Sequence, residues 1–304
     1  MSKNRNLQKA RKAKNDEFYT RIEDIEKELV HYKDHFKDKI IYMNCDNPEV
    51  SNFWKYFYLN FKHFGLKKII STHYDAKKPT YKWEYDGKDV LKESLEQNGD
   101  FRSPESIELL KKSDIVVTNP PFSLFREYID QLMEYNKKFV IIGNKNAISY
   151  KEIFKLMKNN EIWLGYTSPK EFLQPDGTMK KFGNIGWFTN LEISKRNEEL
   201  ILHKKYYGNE QDYPKYDNYN AINVDKVSDI PYDYEGYIGV PITFLDKFNP
   251  NQFEIICIDF EIDSMSLKTL KTGNWNGKFD RGYIKGQRKY SRIIIKNKHP
   301  KKEI

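Results

Sequence analysis

Between residues 40 and 165, short apolar runs alternate with stretches of helical periodicity, and few architectures accept that alternation. Ile40-Ile41-Tyr42-Met43, Ile69-Ile70, Ile115-Val116-Val117 and Val140-Ile141-Ile142 read as buried strands. Ahead of them Ile22, Ile25, Leu29, Tyr32 and Phe36 recur at spacings of three and four, which predicts one amphipathic helix. Phe53, Trp54, Phe57, Phe61 and Phe64 keep helical spacing within Val50 to Phe64, and rings so placed serve helix packing. Ser103 can cap a helix through residue 112, with Pro104 in its first turn. A further helix is expected from Leu124 to Tyr135. Ser149 and Glu152 form a capping box ahead of Ile153, Phe154 and Met157, and Ile162-Trp163-Leu164 closes the run. The expected fold is a doubly wound, mostly parallel α/β sheet with helices on both faces.

After residue 166 the pattern changes. Ile185 to Asn190 and Val240 to Leu245 read as strands without long helices between them, and Tyr206 to Tyr219 reads as a loop. Residues 1–15 form a basic arm, with Lys3, Arg5, Lys9, Arg11, Lys12 and Lys14 and no acid. Residues 16–190 make one domain and 191–304 a second region, with a soft boundary near 190.

With 38% hydrophobic and 32% charged residues the chain is polar, yet 22 Tyr and 19 Phe supply a core that disordered chains lack. A net charge of +8 favours a polyanionic partner. Cys45 and Cys257 are too few for a disulfide framework, and no apolar run reaches the ~20 residues of a membrane span. The six histidines show no zinc-ligand spacing with either cysteine, so no metal is expected. A cytoplasmic, reduced protein is the expectation.

The most informative residues are Asn119-Pro120-Pro121-Phe122, directly after the strand Asp114 to Thr118. Doubly wound sheets bind ligands beyond the carboxyl ends of their strands. Pro120 holds Asn119 extended, and two consecutive prolines fix their φ angles and remove two donors. Such a stiff turn suits methylation of an exocyclic amine. The amine lone pair is conjugated with its ring and is a poor nucleophile. If the Asn119 amide oxygen and the Pro120 carbonyl accept its two hydrogens, the nitrogen turns tetrahedral and can attack a sulfonium methyl in line. Phe122 offers a face for an extruded base. Chance gives an Asn/Asp/Ser-Pro-Pro-aromatic tetrapeptide in fewer than about one chain in a hundred.

Around this turn the chain resembles the EcoRI-type adenine-specific DNA methyltransferases over nearly its whole length. The likeness lies in Asp16 to Thr20, in Asn44-Cys45-Asp46 with Val50-Ser51-Asn52-Phe53, and in Gly99 to Ser103. It continues through Asp114 to Tyr128, Trp187 to Leu191, Tyr213 to Asn223 and Gly239 to Phe244. The order of elements is similar to the gamma arrangement of amino-methyltransferases. The resemblance implies a Rossmann-like methyltransferase sheet in residues 16–190 that binds S-adenosylmethionine, and a C-terminal target-recognition region in 191–304.

It further implies that Tyr19 and Thr20 close over the methionine part of the cofactor and that Asn44 and Asp46 hold its amino-acid end. Asp100 and Phe101 would meet its adenine, and Tyr74 or Asp75, ending the second strand, its ribose. Asn47-Pro48-Glu49 stands where a glycine-rich turn is usual, which a cofactor without phosphate tolerates. The stretch Tyr166 to Gly183 is unlike the family pattern.

Double-stranded DNA is the expected partner, gripped at phosphates by Lys9, Arg11, Lys12, Lys14, Arg288, Lys289 and Arg292. Trp187 either stacks on the flipped base or sits in the core. A cognate restriction endonuclease acting on the same site, without stable binding, is a possible companion. Methylation of adenine in RNA or of glutamine in protein, and an inactive DNA-binding relative, are the alternatives.

Overall fold

The computed structural model describes residues 19–77, 80–174, 176–262, 270–273 and 275–301. These fall into two compact units, the first running to residue 153 and resuming over 162–193, the second made of 154–161 and residues from 194 onward.

In chain order the first unit holds strands β1 (Tyr19–Thr20), β2 (Ile40–Met43), β3 (Lys68–Thr72), β4 (Tyr81–Tyr85), β5 (Val90–Ser94) and β6 (Ile115–Thr118). There follow β7 (Lys138–Asn144), β8 (Trp163–Leu164), β9 (Glu171–Leu173), β10 (Met179–Lys181) and β11 (Ile185–Thr189). Eight of these form one sheet in the order β5-β4-β3-β2-β6-β7-β11-β8. Only β3, β2, β6 and β7 run parallel; the pairings of β5 with β4, β4 with β3, β7 with β11 and β11 with β8 are antiparallel. The sheet is therefore mixed, not mostly parallel.

Alternate strand residues face opposite ways. Ile41, Met43, Ile69, Ile115, Val117, Val140 and Ile142 share a core cluster with Ile25, Leu29, Phe36, Phe53 and Phe57 from the helices α1 (Ile22–Leu29), α2 (Lys33–Phe36) and α3 (Asn52–Leu59). The intervening Tyr42, Ile70, Val116 and Ile141 are buried as well, so both faces are covered. After α4 (Phe61–Phe64) come α5 (Pro104–Lys112), which contacts β2, and α6 (Phe125–Glu134), which contacts β7. Ser103 caps α5 by accepting the Ser106 N–H at 3.2 Å.

The chain leaves β2 for β3 on one side and returns to β6 on the other. The carboxyl ends of β2 and β6 thus flank a topological switch point, where open α/β sheets bind ligands.

Three local expectations are corrected. The single helix from Ile22 to Phe36 is interrupted by a 3-10 turn at Val30–Tyr32, where Tyr32 leaves helical geometry at φ −109 and ψ 11. Ser149 forms no capping box, because its hydroxyl donates to the Asn146 carbonyl at 2.7 Å and ends a 3-10 turn. The strand expected to reach Leu245 stops at Pro241 and gives way to a 3-10 segment, Ile242–Lys247.

In the stretch that fitted no family pattern, β9 and β10 form a small sheet with β1: Thr20 pairs with Phe172, which pairs in turn with Lys180. In the second unit β12 (Ala221–Asn223), β13 (Tyr237–Pro241), β14 (Phe253–Ile258), β15 (Tyr283–Ile284), β16 (Gln287–Arg288) and β17 (Arg292–Asn297) form a sheet β12-β13-β17-β14 and a separate hairpin β15-β16.

Candidate active site

Asp46 lies just past β2, and its groups reach the ends of β3 and β6. Its N–H donates to the Thr72 carbonyl at 3.0 Å and its carbonyl accepts from Ser71 Oγ at 2.6 Å, which ties it to the end of β3. Its carboxylate accepts Ser51 Oγ at 2.9 Å, the Thr118 hydroxyl at the end of β6, and the backbone N–H of Asn119. The same Ser51 oxygen caps α3 through Phe53 N and Trp54 N. Asp46 thus fastens the first residue of the Asn-Pro-Pro-Phe turn to the switch point. Burial pushes its carboxyl up to about 6, against the lowering effect of the bonds from Thr118, Ser51 and Asn119.

The turn itself is half enclosed. Pro120 is buried, Asn119, Pro121 and Phe122 are partly exposed, and the Pro121 carbonyl accepts the Leu124 N–H at 3.0 Å to open a 3-10 turn. The Phe122 ring meets Phe182 edge to face, with centroids 6.3 Å apart. Phe182 follows β10 and leans on Phe172 of β9 at 5.6 Å. Phe172 and Phe182 therefore build an aromatic wall beside the turn. That arrangement has a buried anchor: Glu28, with no exposed surface, accepts Tyr32 OH and Tyr166 N at 2.8 Å and Thr167 N and Oγ1 at 2.7 Å.

Polar atoms gather beside Asp46. Asn44 Oδ1 accepts the Tyr128 hydroxyl, and the Tyr128 ring lies edge-on to Phe101 at 5.0 Å. Asn44 Nδ2 and Thr20 Oγ1 are buried with no hydrogen-bond partner among the described residues. Buried orphans of this kind cost about 1–3 kcal/mol each, which a polar ligand can relieve. Thr20 is held by Asn52 Nδ2, which donates to its carbonyl at 2.8 Å. These atoms fit a small polar molecule.

At the end of β3, Gly99 has a φ of +69, and a Cβ there would lie 2.0 Å from the His73 carbonyl oxygen. Only glycine lets the segment 97–100 close on that strand end. Tyr74 is exposed there, and Asp75 accepts the Lys77 N–H at 2.7 Å. Asp100 is clasped by Arg102, whose Nε and NH2 donate at 2.8 and 2.7 Å and hold its carboxyl below the usual range. A shallow hollow of about 540 Å³ runs along Gln97, Asn98, Asp100 and Arg102. A larger one, about 640 Å³, belongs to the second unit and is lined by amides such as Asn249, Gln252 and Asn297. No residue singled out in the sequence lines that larger hollow.

A profile of the adenine-specific EcoRI methyltransferases matches residues 6–298. The chain is 48% identical to the Type II methyltransferase M.EcoRI of Escherichia coli, over 98% of each protein. It is 42% identical to the Type II methyltransferases M.MpnI of Mycoplasma pneumoniae and M.MgeORF184P of Mycoplasma genitalium, over 95% of this chain and 97% of each relative. The chain belongs to the EcoRI methyltransferase family. No solved structure matches it.

As a member of the EcoRI methyltransferase family the chain is an adenine-specific methyltransferase, which needs a methyl donor. In the first unit Asp46 holds the Asn119–Phe122 turn, Asn44 joins Phe101 through Tyr128, and the Thr20 carbonyl is held by Asn52. Ser51, Thr118, Tyr128 and Phe182 make the supporting contacts. Sequence did not single them out for a role, although Ser51 ahead of an aromatic helical run is a capping signal.

Two expected DNA contacts are not at the surface. Trp187 is fully buried on β11, edge-on to Phe53 at 6.0 Å, and so takes the core position. Arg292 is 7% exposed and donates to Asp225 at 2.7 Å and to Asn223 at 3.2 Å. Arg288 is exposed, Lys289 is half-buried, and Lys9, Arg11, Lys12 and Lys14 lie outside the described residues. Among the described residues no helix is long and apolar enough to cross a membrane.

Proposed function

We propose that this chain transfers the methyl group of S-adenosylmethionine to the exocyclic amine of an adenine extruded from duplex DNA, as a Type II modification enzyme or standing alone. The observation that carries this reading is the Asn119-Pro120-Pro121-Phe122 turn, fastened by Asp46 at the switch point of the sheet.

The cofactor, when bound, supplies an electrophilic methyl on a sulfonium centre. Asn44 and Thr20 would hold its amino-acid end, where buried polar atoms await partners. Phe101 would face its adenine, with Asp100 at the rim, and Tyr74 or Asp75 its ribose. Tyr19 would close over it on β1.

The Asn119 carboxamide oxygen and the Pro120 carbonyl accept the two amine hydrogens of the target adenine. This draws the nitrogen lone pair out of conjugation and aims it at the methyl. Phe122 stacks on the base, and Phe182, edge-on to it, closes the wall and keeps water out. The Asp46 carboxylate touches neither base nor methyl; it holds the Asn119 backbone so that the two acceptors do not drift. In the second unit Arg288 and Lys289 contact DNA. Residues from 191 onward read the site.

The test is a transfer assay in which methyl-labelled S-adenosylmethionine is offered to duplex DNA, to RNA and to release-factor protein. Label in DNA, recovered as N6-methyladenine, is expected. Label confined to RNA or protein would overturn the reading.

A further inference from the structure

Residues 275–292 carry six basic side chains, Lys278, Arg281, Lys285, Arg288, Lys289 and Arg292, against one acid, Asp280. Within them β15 and β16 pair through Tyr283 with Arg288 and Ile284 with Gln287. Lys285 and Gly286 close a two-residue turn with φ of 51 and 73, both positive as a tight hairpin requires. The Asp217 carboxylate accepts the N–H groups of Lys285 at 3.2 Å and Gly286 at 2.8 Å. The buried Asn218 accepts Tyr283 N–H at 3.0 Å and donates to the Arg281 carbonyl at 2.8 Å. The hairpin is thus rigidly mounted before any ligand arrives.

Its two faces differ. Ile284 is 8% exposed and packs into the core cluster of this unit, so Tyr283 and Arg288, opposite one another, occupy the outer face. There Asp280 accepts Arg288 Nε at 3.2 Å, Arg288 NH2 at 2.7 Å and Tyr283 OH at 3.3 Å. Trp275 packs on Tyr283 at 4.9 Å, and Tyr290 is 87% exposed.

We infer that this ribbon enters the major groove and that Arg288, oriented by Asp280, reads a guanine in the target site. The inference rests on DNA being the substrate, as proposed above. A two-stranded ribbon fits the major groove, and an arginine end can donate to guanine O6 and N7 together. A guanidinium has five N–H groups and Asp280 takes two, leaving enough for that pair. The carboxylate argues against a phosphate partner: it repels phosphate and weakens the attraction of the cation, while fixing the plane that bidentate recognition needs. Lys285 and Lys289 flank the ribbon for phosphates.

The test uses the full chain, a duplex carrying the site it methylates, and duplexes changed at one base pair each. Arg288→Ala and Arg288→Lys are each expected to lower kcat/KM on the intact site roughly 5- to 150-fold and to abolish discrimination at one G·C pair. Other positions stay discriminated. Replacing that guanine by 7-deazaguanine should slow the wild type but not the variants. Arg288→Lys keeps the charge, so loss of selectivity in it separates base reading from phosphate binding. Wild-type discrimination in Arg288→Ala, an equal loss on every duplex, or a methylated site without guanine would overturn this inference alone. A wild type that methylates no DNA would remove the proposed function and this inference together.

Discussion

Replacing Asp46 by asparagine separates stability from catalysis. In the folded chain, burial raises the Asp46 carboxyl from 3.8 to about 6, which amounts to about 3 kcal/mol in favour of its neutral form. The sign follows from linkage. Between pH 3.8 and about 6 the folded state keeps a proton that the unfolded chain has released, so stability falls as pH rises through that window. Above it, the buried charge is a standing cost that a neutral carboxamide would not carry. Against that gain, one of three donors, from Ser51, Thr118 and Asn119, meets an NH2 group and loses its acceptor, at about 1–3 kcal/mol. The two nearly cancel at pH 7, so thermal unfolding of Asp46→Asn should begin close to the wild-type temperature. Catalysis has no such compensation. Losing one bond at the turn should lower kcat roughly 10- to 100-fold. Steady-state methylation of a duplex between pH 5 and 8 supplies the check: wild-type kcat should fall below about pH 6 as Asp46 takes up a proton, and the variant should lack that limb. Wild-type kcat in the variant, or a wild-type profile flat down to pH 5, would refute the reasoning.

Three further outcomes are expected. Asn119→Ala should abolish measurable transfer yet leave cofactor and DNA binding within a few-fold, as equilibrium titration will show; full activity would refute the mechanism. Phe182→Ala removes the ring that meets Phe122 edge to face, so transfer should slow by roughly 2- to 10-fold from the loss of about 0.5–1.5 kcal/mol of ring packing. A 2-aminopurine at the target position reports whether the extruded base is then held less well. Gly165→Ala places a methyl group 2.1 Å from Glu28 Oε1, and overpacking of this kind should cost about 1–3 kcal/mol, seen as a lower denaturant midpoint.

The parallel centre of the sheet is legible because its strands are buried on both faces and read as unbroken apolar runs. The hairpin β4-β5 is written differently: Tyr81, Trp83 and Tyr85 alternate with Lys82 and Glu84, a period of two without an apolar run. Its charges pair laterally, Lys68 with Glu84 at 2.8 Å and Lys82 with Glu93 at 2.8 Å, so what resembles a polar loop is a strand pair. The catalytic turn is visible because its chemistry sits in four consecutive residues. The support of that turn is not, since Asp46 and Thr118 stand 72 positions apart and each alone is an ordinary polar residue. Arg292 fails as a surface cation for the same reason, its partner Asp225 lying 67 positions away.

The clasp at Asp46 also bears on when the enzyme becomes competent. Segments ending near residues 51, 72 and 119 must all have docked before the turn is held, so a nascent chain or a partly unravelled one has no working centre. Activity should therefore vanish with the first loosening of those three segments, ahead of any wholesale collapse of the sheet.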